Sequence, residues 1–411
     1  MRIDHIEAKQ ILDTRGKPTI ETTISANTFS AIASVPSGKS TGSHEALELR
    51  DVDGGVAQAV ENVNNEIARA IVGQRFGTLD DFDDFLIELD GTPNKSRLGA
   101  NALLSVSIAA IRLSASLEGI PLWSAIANRG TQHFGECAKC SEAKRSPKCC
   151  VPRLFVNVME GGTHADFKLP FQEYLLVVEG KTSDALPIAQ EMFSKIGEQL
   201  GTETPMGDES GYAPTFDTLE KPFELLAELI KEFPNVKIAI DAAASELLHD
   251  GSYELMDKKY SPDELATIYR EIVERFPIHS IEDPFAENAP EDFAKLNTAL
   301  GAKVLIIGDD LTVTDSTRIK NAAEQKAINA VIIKPNQIGT VKEALDAVQE
   351  TYSAGFKAIA SHRSGETNDT FIADFAYGIG AHGIKAGGFG QSERLKKYER
   401  LLAIENEAKS V

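Results

Sequence analysis

Residues Ala330–Gly339 read AVIIKPNQIG. The apolar run Ala330–Ile333 reads as a buried strand, because parallel strands covered on both faces are apolar without alternation. It stops on Lys334, followed by Pro335, Asn336 and Gln337. Lysine is among the residues least often buried, so one at the mouth of such a strand asks for a reason. A lysine stem lying on apolar surface with its ammonium in water would explain it alone. The pattern recurs, however. VKIAI ends on Asp241, IHSI on Glu282, KVLIIG on Asp309 and Asp310, KAIAS on His362 and Arg363, and GI on Lys385. From Glu282 onward the tips lie 27, 25, 28 and 23 residues apart, one strand–helix unit each. Helix-like segments fill the gaps, among them Ser261–Arg275, Glu291–Leu300 and Val341–Ala354. Repeated strand, polar tip and helix means parallel strands with crossovers, in a barrel or an open doubly wound sheet. The polar tips converge only if the sheet closes, and barrel enzymes place their chemistry on that face. The expectation is an α/β fold with a C-terminal TIM-like (β/α)8 barrel and a metal-dependent site.

Working outward, 411 residues are long for one domain and allow an ample core. The net charge of −20 argues against nucleic acid or an anionic membrane surface as a partner. An anionic substrate would then need a local cationic pocket, which Lys334, Arg363 and Lys385 could supply. MRIDHIEAKQ has no apolar signal core and no stretch approaches a spanning helix, so the reading is a cytoplasmic protein with no membrane partner. Four cysteines are too few for a disulfide scaffold of this size.

Ile3–Ile11, Thr19–Ser25 and Phe29–Val35 are strand-like, with a turn expected at Ala26-Asn27 and another at Asp13–Gly16. Ala57–Val72 and Leu79–Leu89 have helical spacing, and Asn101–Leu117 is apolar nearly all round, hence a buried helix. The division expected is an α+β domain over 1–125, a cysteine-containing linker over 126–150 and a catalytic barrel over 151–411.

Three loops carry candidate chemistry. Ser34–Ser43 contains Gly38-Lys39-Ser40, the end of a P-loop in the register AxxxxGKS. Ala33 replaces its first glycine, Pro36 removes an N–H donor, and the preceding strand belongs to an antiparallel meander. A glycine-hinged loop closing over a site fits better. Phe155–Ala165 carries His164, with Gln172 and Glu173 just beyond, and Met206–Pro214 sets Asp208 beside Glu209. Separately, Cys137, Cys140, Cys149 and Cys150 lie within fourteen residues, starting with a CxxC knuckle. With His133 they could hold Zn²⁺, although adjacent Cys149-Cys150 would have difficulty ligating one ion, and a surface loop of reduced thiols or a redox-labile pair is the alternative.

These segments together resemble enolase over essentially the whole length. The matching stretches are ILDTRGKPT, VPSGKSTGSHEALELRD, LGANALLSVS, GGTHAD with QEY, GDESGYAP, IDAAASE, SIEDP, GDDLTVT, IKPNQIGT, SHRSGETND and GIKAG with SERLKKYERLLAIE. The resemblance implies reversible dehydration of 2-phosphoglycerate to phosphoenolpyruvate with two Mg²⁺ ions. It also implies a barrel opening with a ββαα unit, and a homodimer or larger ring. By motif, Asp241, Glu282 and Asp309 would hold the first Mg²⁺, and Ser40 would reach the second. Lys334 would be the base and Glu209 the acid, with Glu173 behind it. His362, Arg363, Ser364 and Lys385 would hold the substrate's phosphate and carboxylate, with His164, Gln172 and Glu173 completing the pocket. Lys334 must be neutral to accept a proton, and neighbouring cations and burial are expected to lower its pKa. Against the family pattern, Lys39 stands where a small residue is usual, Ser210 where a glycine is, Ala386 where a threonine is, and DFKLP is less polar than usual. A superfamily enzyme acting on another acid, or a scaffold role through the cysteine segment, is the alternative.

Overall fold

The structure, a computed structural model, describes residues 1–39, 42–134 and 151–409. The expectations placed on Ser40 and on Cys137, Cys140, Cys149 and Cys150 lie outside those residues.

The chain opens with an antiparallel sheet of β1 (His5–Leu12), β2 (Pro18–Ala26) and β3 (Phe29–Ser34). Ala26 pairs with Phe29, so the turn residues are Asn27 and Thr28, one position later than expected. Asn27 has φ +54, a conformation asparagine tolerates better than most residues. The expected helix over 57–72 forms with a π-helical stretch at Val63–Ile67 between two α segments. Leu79–Asp90 begins with a capping box, Thr78 and Asp81 each bonding the other's amide, and ends on left-handed Gly91. Ala100–Glu118 is the central helix, buried on most of its faces against β2 and β3. Contrary to the expectation that no segment approaches a spanning helix, this one is long and apolar enough to span, yet it is mostly buried inside the protein. The next helix, Leu122–Phe134, runs through the boundary expected at 125.

Eight strands close the barrel. In chain order they are β4 (Arg153–Glu160), β5 (Glu173–Val178), β6 (Val236–Asp241), then, after a small hairpin sheet of β7 (Leu248–His249), β8 (Ser252–Leu255) and β9 (Lys258–Tyr260), β10 (Ile278–Glu282), β11 (Leu305–Gly308), β12 (Ala330–Ile333), β13 (Lys357–Ser361) and β14 (Gly383–Lys385). Around the ring the order is β10-β11-β12-β13-β14-β4-β5-β6. All neighbours are parallel except β5, which runs against both β4 and β6. Its reversal goes with a β4–β5 connection, Gly161–Gln172, that holds one short helical turn at Gly162–Ala165 and no crossover α-helix. The interior is filled by Phe155, Leu175, Val177, Ala239, Ile307, Ala330, Ile332 and Ile359, all at most 3% exposed.

The first domain caps the barrel's C-terminal face. Arg112 forks onto Asp369 with two 2.6 Å bonds, Lys95 pairs with Glu343, and Ser37 exchanges backbone bonds of 2.8 Å with Gly365.

Candidate active site

Every barrel strand delivers a polar side chain to the capped face. Glu160, Asp241, Glu282 and Lys385 end β4, β6, β10 and β14, while Asp309, Lys334 and His362 follow β11, β12 and β13. Reversed β5 delivers Glu173 from its first residue, level with Glu160 and Asp241. Almost all are buried; their charges are therefore met by one another rather than by water.

Asp241, Glu282 and Asp309 stand on three adjacent strands, β6, β10 and β11. Lys385 lies among the acids, with its ammonium 3.0 Å from Asp241, 2.9 Å from Glu282 and 3.2 Å from Glu173. Lys334 pairs with Asp309, whose other oxygen accepts from Gln337 at 3.0 Å. Here an expectation is corrected. Burial pushes the Lys334 ammonium down and Arg363 and Lys385 add to that, but with no metal on the carboxylates Asp309 and Glu282 raise it, and the net direction is upward. The lysines also separate the three carboxylates. Among the described residues the close-set groups able to hold an ion are His164, Glu173 and Glu209, and Asp283, Asp309 and Asp310. Asp283 has its oxygens on the Asp309 and Asp310 amides at 3.0 and 2.7 Å, which fixes the turn that presents Asp309. Burial and the neighbouring Asp309 push Asp310 up to about 8. The donor set on β6, β10 and β11 consists of buried carboxylates, which fits a hard cation such as Mg²⁺ better than a soft one.

The opposite wall holds the acid. Glu209 comes from the turn over 207–211 and sits between two imidazoles, with His362 Nε2 3.2 Å and His164 Nδ1 3.6 Å away. The Arg394 guanidinium bonds His362 Nδ1, so that nitrogen accepts and the ring proton resides on Nε2, facing Glu209. Burial pushes His362 down to about 4, in keeping with a neutral ring. Glu173 is pushed well above the usual carboxylate range, first by burial and then by the Glu209 charge. Glu173 Oε2 and both ring nitrogens of His164 have no hydrogen-bond partner, although buried. Unmet polar groups of this kind mark a place where a ligand completes the bonding.

Glu160 was not singled out by the sequence, yet it builds the acid's platform. Its carboxylate accepts from the Glu209 amide at 3.1 Å and the Gly211 amide at 2.6 Å, and burial with the nearby Glu209 pushes it up to about 8. The signal available was its place, the last residue of a strand, as at the other tips. Ser210, between Glu209 and Gly211, is buried with φ +68, the left-handed region that favours glycine.

Arg363 is held by Glu45 of the first domain at 2.9 and 3.0 Å and by Asn336 at 3.0 Å. Ser364 Oγ accepts from Arg15 at 3.2 Å, and its carbonyl accepts from Arg394 at 2.8 Å. Gln172 reaches Asp241 at 3.5 Å. Ala386 is fully buried. The strand leading into the Ser34–Ser43 loop is antiparallel, which removes the sheet context a P-loop needs.

Comparison with known proteins agrees with this geometry. The family described as "Enolase, N-terminal domain" matches residues 3–126, and "Enolase, C-terminal TIM barrel domain" matches residues 148–411. The chain is 42% identical to a protein named "Enolase" from Methanopyrus kandleri, over 99% of this chain and 96% of that one. It is 40% identical to "Enolase B" of Dictyostelium discoideum, over 99% and 95% respectively.

Proposed function

The chain belongs to the enolase family and is a lyase that dehydrates 2-phosphoglycerate to phosphoenolpyruvate; we propose that Lys334 is its base and Glu209, backed by Glu173, its acid. The observation that carries this assignment is the strand order. Lys334 follows β12 and Glu173 opens β5, four places apart in a ring of eight, so base and acid face each other across the pocket. Asp241, Glu282 and Asp309 occupy the arc between them on one side. A substrate lying across the ring then presents its C2 proton to one wall and its C3 hydroxyl to the other.

The C2 proton lies beside a carboxylate and is barely acidic. In this proposal one Mg²⁺ would be held by Asp241, Glu282 and Asp309 and a second would be reached by Ser40, and together they would supply Lewis-acid stabilisation of the charge developing on that carboxylate. Lys334 must give up its pairing with Asp309 before it can accept the proton. Arg363 and Ser364, fixed by Glu45 and Arg15, offer the phosphate a positioned cation and hydroxyl. In this proposal Glu173, whose carboxyl burial pushes up, holds the proton and passes it through Glu209 to the departing C3 hydroxyl. His164 supplies a donor that is otherwise unused. A homodimer in the cytoplasm belongs to the same reading, on the strength of family membership.

Exchange of the substrate's C2 hydrogen with deuterium from solvent separates the two roles. Glu209→Gln is expected to stop water loss but to keep exchange, because Lys334 still removes the proton. Lys334→Ala is expected to lose both. Exchange persisting in Lys334→Ala would move the base elsewhere.

A further inference from the structure

We propose that Lys39 is a positioning residue that clamps the His164 and Glu209 loops onto the first domain, so that the pocket is organised before substrate arrives. The inference rests on the assignment of His164 and Glu209 to the pocket. Lys39 lies beyond β3, in the first domain, yet its ammonium bonds two segments of the barrel. It donates to the carbonyl of Thr163 at 2.9 Å and to the carboxylate of Asp208 at 2.7 Å. Thr163 is the residue before His164, and Asp208 is the residue before Glu209. One side chain therefore holds the residues next to both members of the imidazole–carboxylate pair, Thr163 by its carbonyl and Asp208 by its carboxylate.

Both partners are themselves tied into the pocket. Thr163 donates to Gln172 at 3.1 Å, and the Asp208 carbonyl accepts from Arg394 at 3.1 Å, the same arginine that sets the His362 tautomer. Among the described residues, the loop bearing Lys39 is also tied by Pro36 to Asn336, by Ser37 to Gly365 and by Ser43 to Glu287 at 2.5 and 3.1 Å, and Lys39 adds the tie to the His164 and Glu209 segments. Its ammonium is turned toward Asp208, so its charge is engaged by protein. The side chains of Lys39 and Asp208 are 42% and 29% exposed, so the clamp is weak enough to open and is screened by salt.

A small residue at position 39 would have to leave these loops to be ordered by the ligands. The test is steady-state kinetics of Lys39→Ala, Lys39→Arg, Asp208→Asn and the double variant Lys39→Ala/Asp208→Asn, with 2-phosphoglycerate and Mg²⁺. The expected result is a KM for 2-phosphoglycerate raised about two- to five-fold in Lys39→Ala and Asp208→Asn, the range a partly exposed ion pair supports. kcat should stay within about two-fold, because neither residue meets the reacting atoms. The double variant should be no worse than either single one, and Lys39→Arg should restore the KM. Unchanged KM in Lys39→Ala, or effects of the two changes that add, would overturn the clamp. Neither result would touch the wider reading, which fails instead if the unaltered enzyme does not turn over.

Discussion

Glu160 accepts hydrogen bonds from the buried amides of Glu209 and Gly211, so Glu160→Leu leaves two N–H groups without partners in a dry site. Each unmet donor costs about 1–3 kcal/mol. The expected outcome is a folded protein with a lowered unfolding midpoint and a kcat reduced more than its KM is raised. Glu160→Gln, which keeps an acceptor oxygen, should retain most activity. At the barrel's other end, His279 stacks on His382 with ring centres 5.4 Å apart, meets the Phe155 ring edge-on at 5.6 Å, and has Arg153 and Lys237 nearby. Burial, then Arg153, pushes its pKa down to about 4. The folded state thus favours neutral His279. Its contribution is present in full above about pH 6.5, the unfolded value, and is lost as pH falls toward 4, up to about 3 kcal/mol. Urea unfolding at pH 7.5 and 4.5 should show wild type losing more stability than His279→Gln. Equal losses would clear His279 of that role.

At the scale of elements, Ala100–Glu118 packs against β2 and β3, and Leu103 in its first turn is fully buried. Leu103→Ala should cost about 2–5 kcal/mol, read as a lowered denaturant midpoint with an unchanged slope. That helix, the β1–β3 meander and the parallel strands were legible because each depends on local pattern: an all-apolar helix, alternating strands, and short apolar runs with polar tips. Asp241, Glu282, Asp309, Lys334, His362 and Lys385 were legible for the same reason. The reversed direction of β5 was not written in its own residues, since EYLLVV is buried either way, and it came from the family resemblance. The π-helical stretch at Val63–Ile67 keeps nearly the spacing of an α-helix, so periodicity did not distinguish it. Glu45 and Arg394 become site residues through contacts with Arg363 and His362 more than thirty positions away in sequence. The pairing of Lys334 with Asp309 depends on side-chain geometry between neighbouring strands, which no single-strand pattern encodes.

Across the whole molecule, a chain with net charge −20 gathers Lys334, Arg363, Lys385 and Arg394 under a cap supplied by its first domain. Three of these cations are matched by carboxylates, Asp309 for Lys334, Glu45 for Arg363, and Asp241, Glu282 and Glu173 for Lys385, while Arg394 bonds His362 and backbone carbonyls. An anionic substrate is therefore met by cations already engaged by carboxylates, which become available as metal and substrate engage their partners. The most direct test follows the ultraviolet absorbance of the purified protein mixed with 2-phosphoglycerate, with and without Mg²⁺, since the conjugated enol of phosphoenolpyruvate absorbs where the substrate does not. A Mg²⁺-dependent rise that Lys334→Ala and Glu209→Gln each abolish is the predicted result. No rise from folded, Mg²⁺-supplied protein, or a rise that survives Lys334→Ala, would contradict it.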